Sequence, residues 1–171
     1  MRRLFAETTQ DEYVTRFVFV DETSTKLTYC RRYGRAPAGQ RLDQAVPLHA
    51  GPNVTLIAAL TPDGLGALMS VDGAVNGDVF ATYLDQVLGP TLRPGDVVVL
   101  DHLAVHKVAG LDEIAQKHGV RLRYLPPYSP DFNPMELAFS KLKTGWRTAK
   151  ARTRDALEEV LLRAGPEARN A

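Results

Sequence analysis

Short apolar runs separated by turn residues dominate the first half of the chain. Residues 17–21, with the sequence FVFVD, are apolar until the final aspartate, which predicts a strand covered on both faces. Residues 27–33 and 54–60 predict two more strands, and 67–71 form a further short apolar run after the turn sequence PDG. The Gly- and Pro-rich segment 34–53 predicts a loop.

Helical periodicity appears in the second half of the chain. Over residues 77–88 the apolar side chains recur at a spacing of three and four, and Gly89 and Pro90 end the pattern. Residues 97–100, with the sequence VVVL, predict a buried strand directly before an aspartate. Further helices are predicted at about 108–118, 134–149 and 153–164, and a strand at 120–125.

This order of elements predicts an α/β fold with a mixed sheet. Early strands joined by turns should pair antiparallel, later strands separated by helices should be parallel, and helices should cover both faces. If the strands at 17–21 and 97–100 are parallel neighbours, their carboxyl ends lie side by side. Asp21 would then meet Asp101 at the end of the sheet where ligands bind in such folds.

Length and composition indicate a single globular domain. The chain has 171 residues, of which 44% are hydrophobic. We expect a polar lead-in at 1–16, the domain at 17–165 and a short tail at 166–171. Cys30 is the only cysteine, which excludes a disulfide framework. Since no signal peptide or bilayer-length apolar run is present, the sequence predicts a cytoplasmic protein that makes no membrane contact.

Positive charge is concentrated although the net charge is only +1. Residues 141–154 contain six Lys and Arg side chains and no acid. Such a stretch is typical of nucleic-acid contact, although a solvated helix face explains it equally well. The candidate DNA-binding residues here and near Asp101 are Lys107, Lys141, Lys143, Arg147 and Lys150.

Three carboxylates suggest a metal site. Asp21 and Asp101 follow apolar strands, and Glu136 follows the proline-rich segment LPPYSPDFNPM. Separated carboxylates of this kind suit divalent cations in phosphodiester chemistry. Each has a structural alternative, because an aspartate after a strand can be merely the first solvated residue. Glu136 sits at the third position of a helix that Asn133 can cap, where an acid commonly completes the cap.

Neighbouring polar residues have supporting parts in this hypothesis. Glu22 points to the opposite strand face from Asp21, so it cannot address the same ion. His102 and His106 are four residues apart, but the sequence HLAVH lacks the glutamate of the HExxH zinc pattern. His106 is therefore interpreted as a polar neighbour of the carboxylates.

Four motifs together resemble a known family. VFVDET, YGRAPAGQR, VVVLDHLAVHK and LPPYSPDFNPMELAFSKLK are similar to the catalytic domain of insertion-sequence 630 transposases, in the mariner-like superfamily. The resemblance covers about residues 17–155, and its most specific parts are YSPDFNPME and the 34 residues between Asp101 and Glu136. It implies a ribonuclease H-like fold. The family usually has Asn where this chain has His102.

The resemblance also implies a function and a ligand set. Asp21, Asp101 and Glu136 would be the catalytic metal ligands for two Mg²⁺ or Mn²⁺ ions, supported by Glu22 and the two histidines. The expected reaction is cleavage of transposon ends and strand transfer to target DNA. Complete members carry helix-turn-helix segments that 1–16 cannot hold, so we expect an upstream helix-turn-helix subunit or a truncated chain, and a homo-oligomer on nucleoid DNA. An inactive DNA-binding remnant and a nuclease without strand transfer are the alternatives.

Overall fold

The structure, a computed structural model, describes most of the chain, namely residues 16–26, 33–41, 43, 51, 53–127, 129–149 and 153–167. The predicted strand at 27–33 lies outside these residues except for Tyr33, which belongs to no strand. The candidate Lys150 and Cys30 also lie outside them. Within the described residues, no helix has both the length and the apolar character that a bilayer span needs.

Five strands form one mixed sheet. They are β1 (Phe17–Lys26), β2 (Asn53–Thr61), β3 (Gly64–Asp72), β4 (Val97–Leu100) and β5 (Arg121–Tyr124). Their order across the sheet is β3-β2-β1-β4-β5. β1, β2 and β3 pair antiparallel, whereas β4 pairs parallel with both β1 and β5. The predicted mixed sheet is confirmed, and the short run at 67–71 is part of its third strand.

Four helices accompany the sheet among the described residues. They are α1 (Gly77–Thr82), α2 (Leu111–Lys117), α3 (Met135–Ala149) and α4 (Arg154–Glu167). α1 continues as a wider π-helical segment over Tyr83–Leu88, so the predicted helix at 77–88 has the expected ends but not a uniform turn. α2 begins later than predicted because Gly110, at φ 92°, breaks the helical path before it.

Alternating side chains of β1 divide the protein into two layers. Val18 and Val20 join a buried cluster with α1 and α2 side chains such as Phe80 and Leu111. Phe17 and Phe19 point the other way, into the clusters on the opposite face of the sheet. Helices therefore cover both faces, as predicted. The same alternation sends the Asp21 side chain toward the α3 layer and the Glu22 side chain toward the α1 layer.

β1 is longer than its apolar run. The strand was predicted to end at Asp21, but it continues to Lys26 and pairs with β2 from Phe19↔Leu60 to Lys26↔Asn53. The prediction was wrong because Thr23 and Thr25 are buried and keep the strand alternation with polar side chains. β4 ends at Leu100 as predicted, so β1 runs on past the end of its parallel neighbour.

α3 is attached to the sheet by one apolar stripe. Its buried side chains are Met135, Phe139, Leu142 and Trp146. They pack against Leu56 and Ala58 of β2 and against Leu157 of α4. Trp146 is only 2% exposed and therefore belongs to the core. Removal of a buried aromatic of this size typically costs about 3–5 kcal/mol.

Candidate active site

Asp21 lies in β1, and Asp101 directly follows β4, the parallel neighbour of β1. The register of the two strands pairs Phe19 with Val99, two residues before each aspartate, and the charge of Asp101 acts on Asp21. The Asp21 side chain bonds to Asn133, before α3, whereas the Asp101 side chain bonds to His106. The structure therefore brings together two of the three acids, beyond the carboxyl end of β4.

Asp21 is partly buried, and the net effect of its surroundings disfavours its charge. Its Oδ1 accepts the backbone N–H of Glu22 at 2.8 Å, and its Oδ2 accepts the side-chain amide of Asn133 at 2.9 Å. Burial, reinforced by the charges of Glu22 and Asp101, outweighs these hydrogen bonds and raises the pKa of Asp21 to about 6. A nearby cation would stabilise the ionised form of this carboxyl group.

Asp101 has the opposite electrostatic environment. Its Oδ1 accepts the backbone N–H of Leu103 at 2.9 Å and Nδ1–H of His106 at 2.7 Å. Burial works against ionisation, but the hydrogen bonds from His106 and Leu103 prevail and lower the pKa of Asp101. Both bonds fall on Oδ1, and no described residue donates to Oδ2. Asp101 is thus ionised, oriented and open on one oxygen.

His106 links Asp101 to Glu22 inside the protein. The side chain is fully buried, and Nε2–H donates to Oε1 of Glu22 at 2.8 Å while Nδ1–H donates to Asp101. Burial alone would lower the pKa of His106, but the hydrogen bonds to the two carboxylates raise it to about 9. Because both nitrogens face acceptors, the ring is a cation that donates twice. The hydroxyl of Tyr124 donates to the backbone carbonyl of His106 at 2.6 Å.

Glu22 supports this histidine from the opposite face of β1. Its side chain is 9% exposed, and its second oxygen, Oε2, is buried without a hydrogen bond from any described residue. Phe80 packs against the His106 ring with centroids 4.3 Å apart. The sequence-based expectation that Glu22 and Asp21 address different faces agrees with this geometry. Glu22 reaches the candidate site only through His106.

The two histidines do not form a zinc site. His102 is exposed and packs on the ring of Tyr124, with centroids 5.6 Å apart. His106 is buried on a 3₁₀ turn, Ala104–Lys107, and both its nitrogens are already bonded. In the part of the chain that the structure describes, no group of three His, Cys, Asp or Glu side chains is arranged to hold a metal ion. Asp21, Asp101 and Glu136 form no such group either.

Glu136 occupies the first turn of α3 and is exposed. Asn133 caps this helix by accepting the backbone N–H of Met135 at 3.1 Å. No hydrogen bond or ion pair joins Glu136 to a described residue, so the capping alternative is not observed for this side chain. Leu137 is 74% exposed, and Phe132 packs against the buried cluster that contains Phe17 and Leu125. Because Glu136 follows Asn133 by less than one helical turn, it lies near Asp21 but is not fixed against it.

The candidate DNA-binding residues differ in exposure. Lys107 and Lys141 are exposed, whereas Lys143 and Arg147 are half-buried on α3. Arg147 already interacts with other residues of the protein. Contact between these side chains and DNA stays a prediction.

Asn133 is the site residue that sequence reasoning assigned to a lesser part. The sequence Asn-Pro before a helix indicated a cap, which the structure shows. Nothing in the sequence indicated that the same side chain also reaches Asp21, which is 112 residues away along the chain. Tyr124, which contacts both His102 and the backbone of His106, was likewise not identified.

The donor atoms suit a hard divalent cation. Carboxylate oxygens of Asp21 and Asp101 lie beyond the end of β4, and carboxylates are the ligands that Mg²⁺ and Mn²⁺ prefer. The disfavoured charge of Asp21 is an independent sign that a cation would be accepted here. Since Mg²⁺ usually keeps several waters and binds substrate phosphates, a closed cage of protein ligands is not required.

Known structures share this fold. The Mos1 transposase paired-end complex with the left transposon end matches with a TM-score of 0.74 and 15% identity, over 94% of this chain and 51% of that one. The catalytic domain of Mos1 mariner transposase matches with a TM-score of 0.67 and 12% identity, over 94% and 74% of the two chains. A simian T-cell lymphotropic virus intasome matches more weakly, with a TM-score of 0.57 and 12% identity, over 86% and 47%.

The chain spans about half the length of the Mos1 transposase chain in that paired-end complex. No curated protein sequence matches it significantly. A family model described as DDE superfamily endonuclease matches residues 16–158, a range that includes all three acids. The ribonuclease H-like fold and the predicted Asp-Asp-Glu family are therefore confirmed, and the chain belongs to the DDE superfamily endonuclease family.

Proposed function

We propose that this chain is the catalytic domain of a transposase that cuts DNA at the ends of its element and joins those ends to target DNA. Asp21, Asp101 and Glu136 would hold two Mg²⁺ or Mn²⁺ ions. The observation that carries the proposal is the pair of carboxyl groups of Asp21 and Asp101, which lie where β1 continues past the end of β4. Asn133, directly before α3, bonds to the first of them. The family match supports the reaction class.

Divalent metal use is supported by relatives as well as by the donor set. Mos1 paired-end complexes have been solved with Mn and with Mg. In this chain, Asp21 and the open Oδ2 of Asp101 would bind first, and Glu136 would complete the ligand set. Bound divalent ions would supply activation of the attacking oxygen and stabilisation of the leaving oxygen in an in-line displacement.

The residues of the chain would prepare and align the reaction. His106 and Glu22 keep Asp101 ionised and fixed in one orientation. In the first step a water oxygen attacks the phosphorus, and the bond to the 3′ oxygen breaks to leave a 3′-hydroxyl. In the second step that 3′-hydroxyl attacks a phosphorus of the target DNA, the bond from this phosphorus to the target's own 3′ oxygen breaks, and the target strand is left with a free 3′-hydroxyl. No covalent bond between protein and DNA is needed.

DNA contact and assembly belong to the same proposal. Lys107 follows His106 directly and Lys141 lies five residues beyond Glu136 on α3, and both are exposed, so both are candidates for contact with phosphates near the acids. The relatives include a paired-end complex and a pre-cleavage transpososome of Mos1. We propose that this chain likewise acts as a homo-oligomer on DNA, together with a helix-turn-helix subunit or segment that recognises the transposon ends.

The first test compares two aspartates at opposite ends of β4. Asp101→Asn removes a charge from the proposed site and keeps an oxygen for Leu103 and His106. Asp96→Asn removes a charge directly before the same strand and keeps an oxygen that can accept the backbone N–H of Arg93. We expect Mn²⁺-dependent nicking of supercoiled plasmid by the wild type and Asp96→Asn, with a loss of at least about 100-fold in Asp101→Asn.

Equal nicking by all three proteins would contradict the proposed site. Strand transfer is tested separately with pre-cut oligonucleotides that carry the inverted repeats flanking the gene, in the presence of the upstream gene product. Joined products support a transposase. Nicking without joining under these conditions would instead favour a nuclease of the same fold.

A further inference from the structure

Asn133 makes two hydrogen bonds that connect separate parts of the protein. Its side-chain N–H donates to Oδ2 of Asp21 at 2.9 Å. Its side-chain oxygen accepts the backbone N–H of Met135, in the first turn of α3, at 3.1 Å. One planar amide therefore joins the centre of β1 to the start of the helix that carries Glu136.

The other contacts of α3 do not provide this connection. The helix packs on the sheet through Met135, Phe139, Leu142 and Trp146, and such apolar contacts are not directional. They determine which face of α3 is buried. A hydrogen bond specifies distance and angle, so the amide can determine where the first turn lies along β1.

The backbone at Asn133 restricts the side chain further. Pro134 follows it, and a residue before proline is confined mainly to extended conformations. The fixed φ of Pro134 also suits the first position of the helix. The amide group thus has few alternative positions from which it could cap α3 and still reach Asp21.

We infer that Asn133 is a positioning residue that places Glu136 relative to Asp21 for divalent metal binding. The inference rests on the function proposed above. It requires both chemical abilities of the amide, because a carboxylate in its place could accept from Met135 but could not donate to ionised Asp21. A hydroxyl side chain could cap the helix but is too short to do both.

A simple capping role predicts a different outcome. Loss of an N-cap lowers helix stability but leaves metal affinity unchanged. Asn76 provides a matched comparison, since it caps α1 by accepting the backbone N–H of Val79 at 2.9 Å and bonds to no acid among the described residues. Serine is a good capping residue, so Asn→Ser keeps the cap at both positions.

The experiment uses the full chain as wild type, Asn133→Ser, Asn133→Ala and Asn76→Ser. Mn²⁺ binding is followed by the electron paramagnetic resonance signal of the free ion, and melting temperature is measured with and without Mn²⁺. We expect Asn133→Ser to bind Mn²⁺ about 10- to 100-fold more weakly, the range for residues that orient metal ligands. Asn76→Ser should bind it like the wild type.

Melting temperatures without metal separate positioning from capping. Asn133→Ser should melt within about 2 °C of Asn76→Ser, whereas Asn133→Ala should lose the cap as well and melt about 2–4 °C lower. Both Asn133 variants should show the same loss of Mn²⁺ affinity. If Asn133→Ser does not fold, Asn133→Thr keeps the same acceptor and carries the same expectation.

The outcomes distinguish this inference from the proposed function. Normal Mn²⁺ affinity in Asn133→Ser, alongside normal binding by the wild type, overturns the positioning role and leaves the proposed function intact. A wild type that binds no Mn²⁺ and nicks no DNA overturns the proposed function, and the inference with it.

Discussion

The carboxyl groups of Asp101 and Glu136 differ in what surrounds them. Asp101 accepts two hydrogen bonds, and one of its donors, His106, is itself held by buried Glu22. Glu136 is exposed on the first turn of α3 and bonds to no described residue. The folded chain fixes the orientation of the Asp101 carboxylate, whereas the orientation of the Glu136 carboxylate depends on the position of α3 and on any bound ligand.

Electrostatics gives a reason for this difference. Asp21 already has a raised pKa, to which burial contributes first and the neighbouring charges of Glu22 and Asp101 add. A third carboxylate fixed beside these two would raise the cost of ionisation further. In the proposed function, a third acid held apart would spare the metal-free protein this cost, and a bound cation would bring the ligands together.

The largest effect is expected for Glu136→Gln. Glutamine removes the charge, so DNA nicking should fall by at least about 100-fold. Because Glu136 bonds to no described residue, the free energy of unfolding should change by less than about 0.5 kcal/mol. Nicking assays and urea unfolding measure the two quantities.

A matched control for Glu136 exists on α2. Glu113 is an exposed acid in the first turn of that helix. It follows the N-cap residue Gly110 by three positions, as Glu136 follows Asn133. Glu113→Gln should unfold and nick like the wild type. If Glu136→Gln also kept full activity, Glu136 would be only a surface acid.

His106→Leu should affect both activity and stability. The substitution leaves Glu22 buried without the one side-chain partner that it has among the described residues, and takes one hydrogen bond from Asp101. We expect a loss of about 3–5 kcal/mol in urea unfolding, as for a broken buried ion pair. Nicking, assayed below the unfolding transition, should fall by about 10- to 100-fold because the metal ligand loses its orientation.

The double variant His106→Leu with Glu22→Leu separates these two effects. It leaves no buried charge unpaired, so stability should recover by more than half while activity stays low. His102→Leu serves as the stability control, since His102 is exposed. Recovery of activity together with stability would show that the buried pair serves only the fold.

The smallest effect is expected where α4 meets β3. Arg154 donates to Asp72 at 3.0 Å and to the backbone oxygen of Ser70 at 2.9 Å, but its side chain is 42% exposed. Arg154→Met should shift the midpoint of urea unfolding only slightly, because exposed ion pairs contribute little. Nicking should be unchanged. A large loss of activity would mean that α4 helps to place α3.

The local hydrophobic pattern correctly predicted elements whose ends depend only on neighbouring residues in the sequence. β4 is an unbroken apolar run between Asp96 and Asp101, and its bounds were correct. β1 was predicted too short because its second half is ordered by pairing with β2 through buried Thr23 and Thr25. β2 begins at Asn53, far from Lys26 along the sequence, so the strand extension has no signal in its own sequence. The π-helical turn after α1 also lacks a local signal.

The candidate site shows the same limit. Strand endings suggested Asp21 and Asp101, the family resemblance added Glu136, and side-chain alternation separated Glu22 from Asp21. The strand patterns each concern residues that are close together in the sequence. The bonds of His106 to Glu22 and of Asn133 to Asp21 join residues 84 and 112 positions apart. Only tertiary packing brings such residues together, so the sequence could indicate their chemistry but not their contacts.

The packing of Phe80 against His106 has a consequence for adaptation. Phe80 is fully buried in the larger core and also supports the ring that orients Asp101. A substitution that loosened this layer to suit cold conditions would disturb the acid at the same time. Adaptation to temperature should therefore occur through substitutions around α4, where Arg154 and its partners can change without disturbing Asp101.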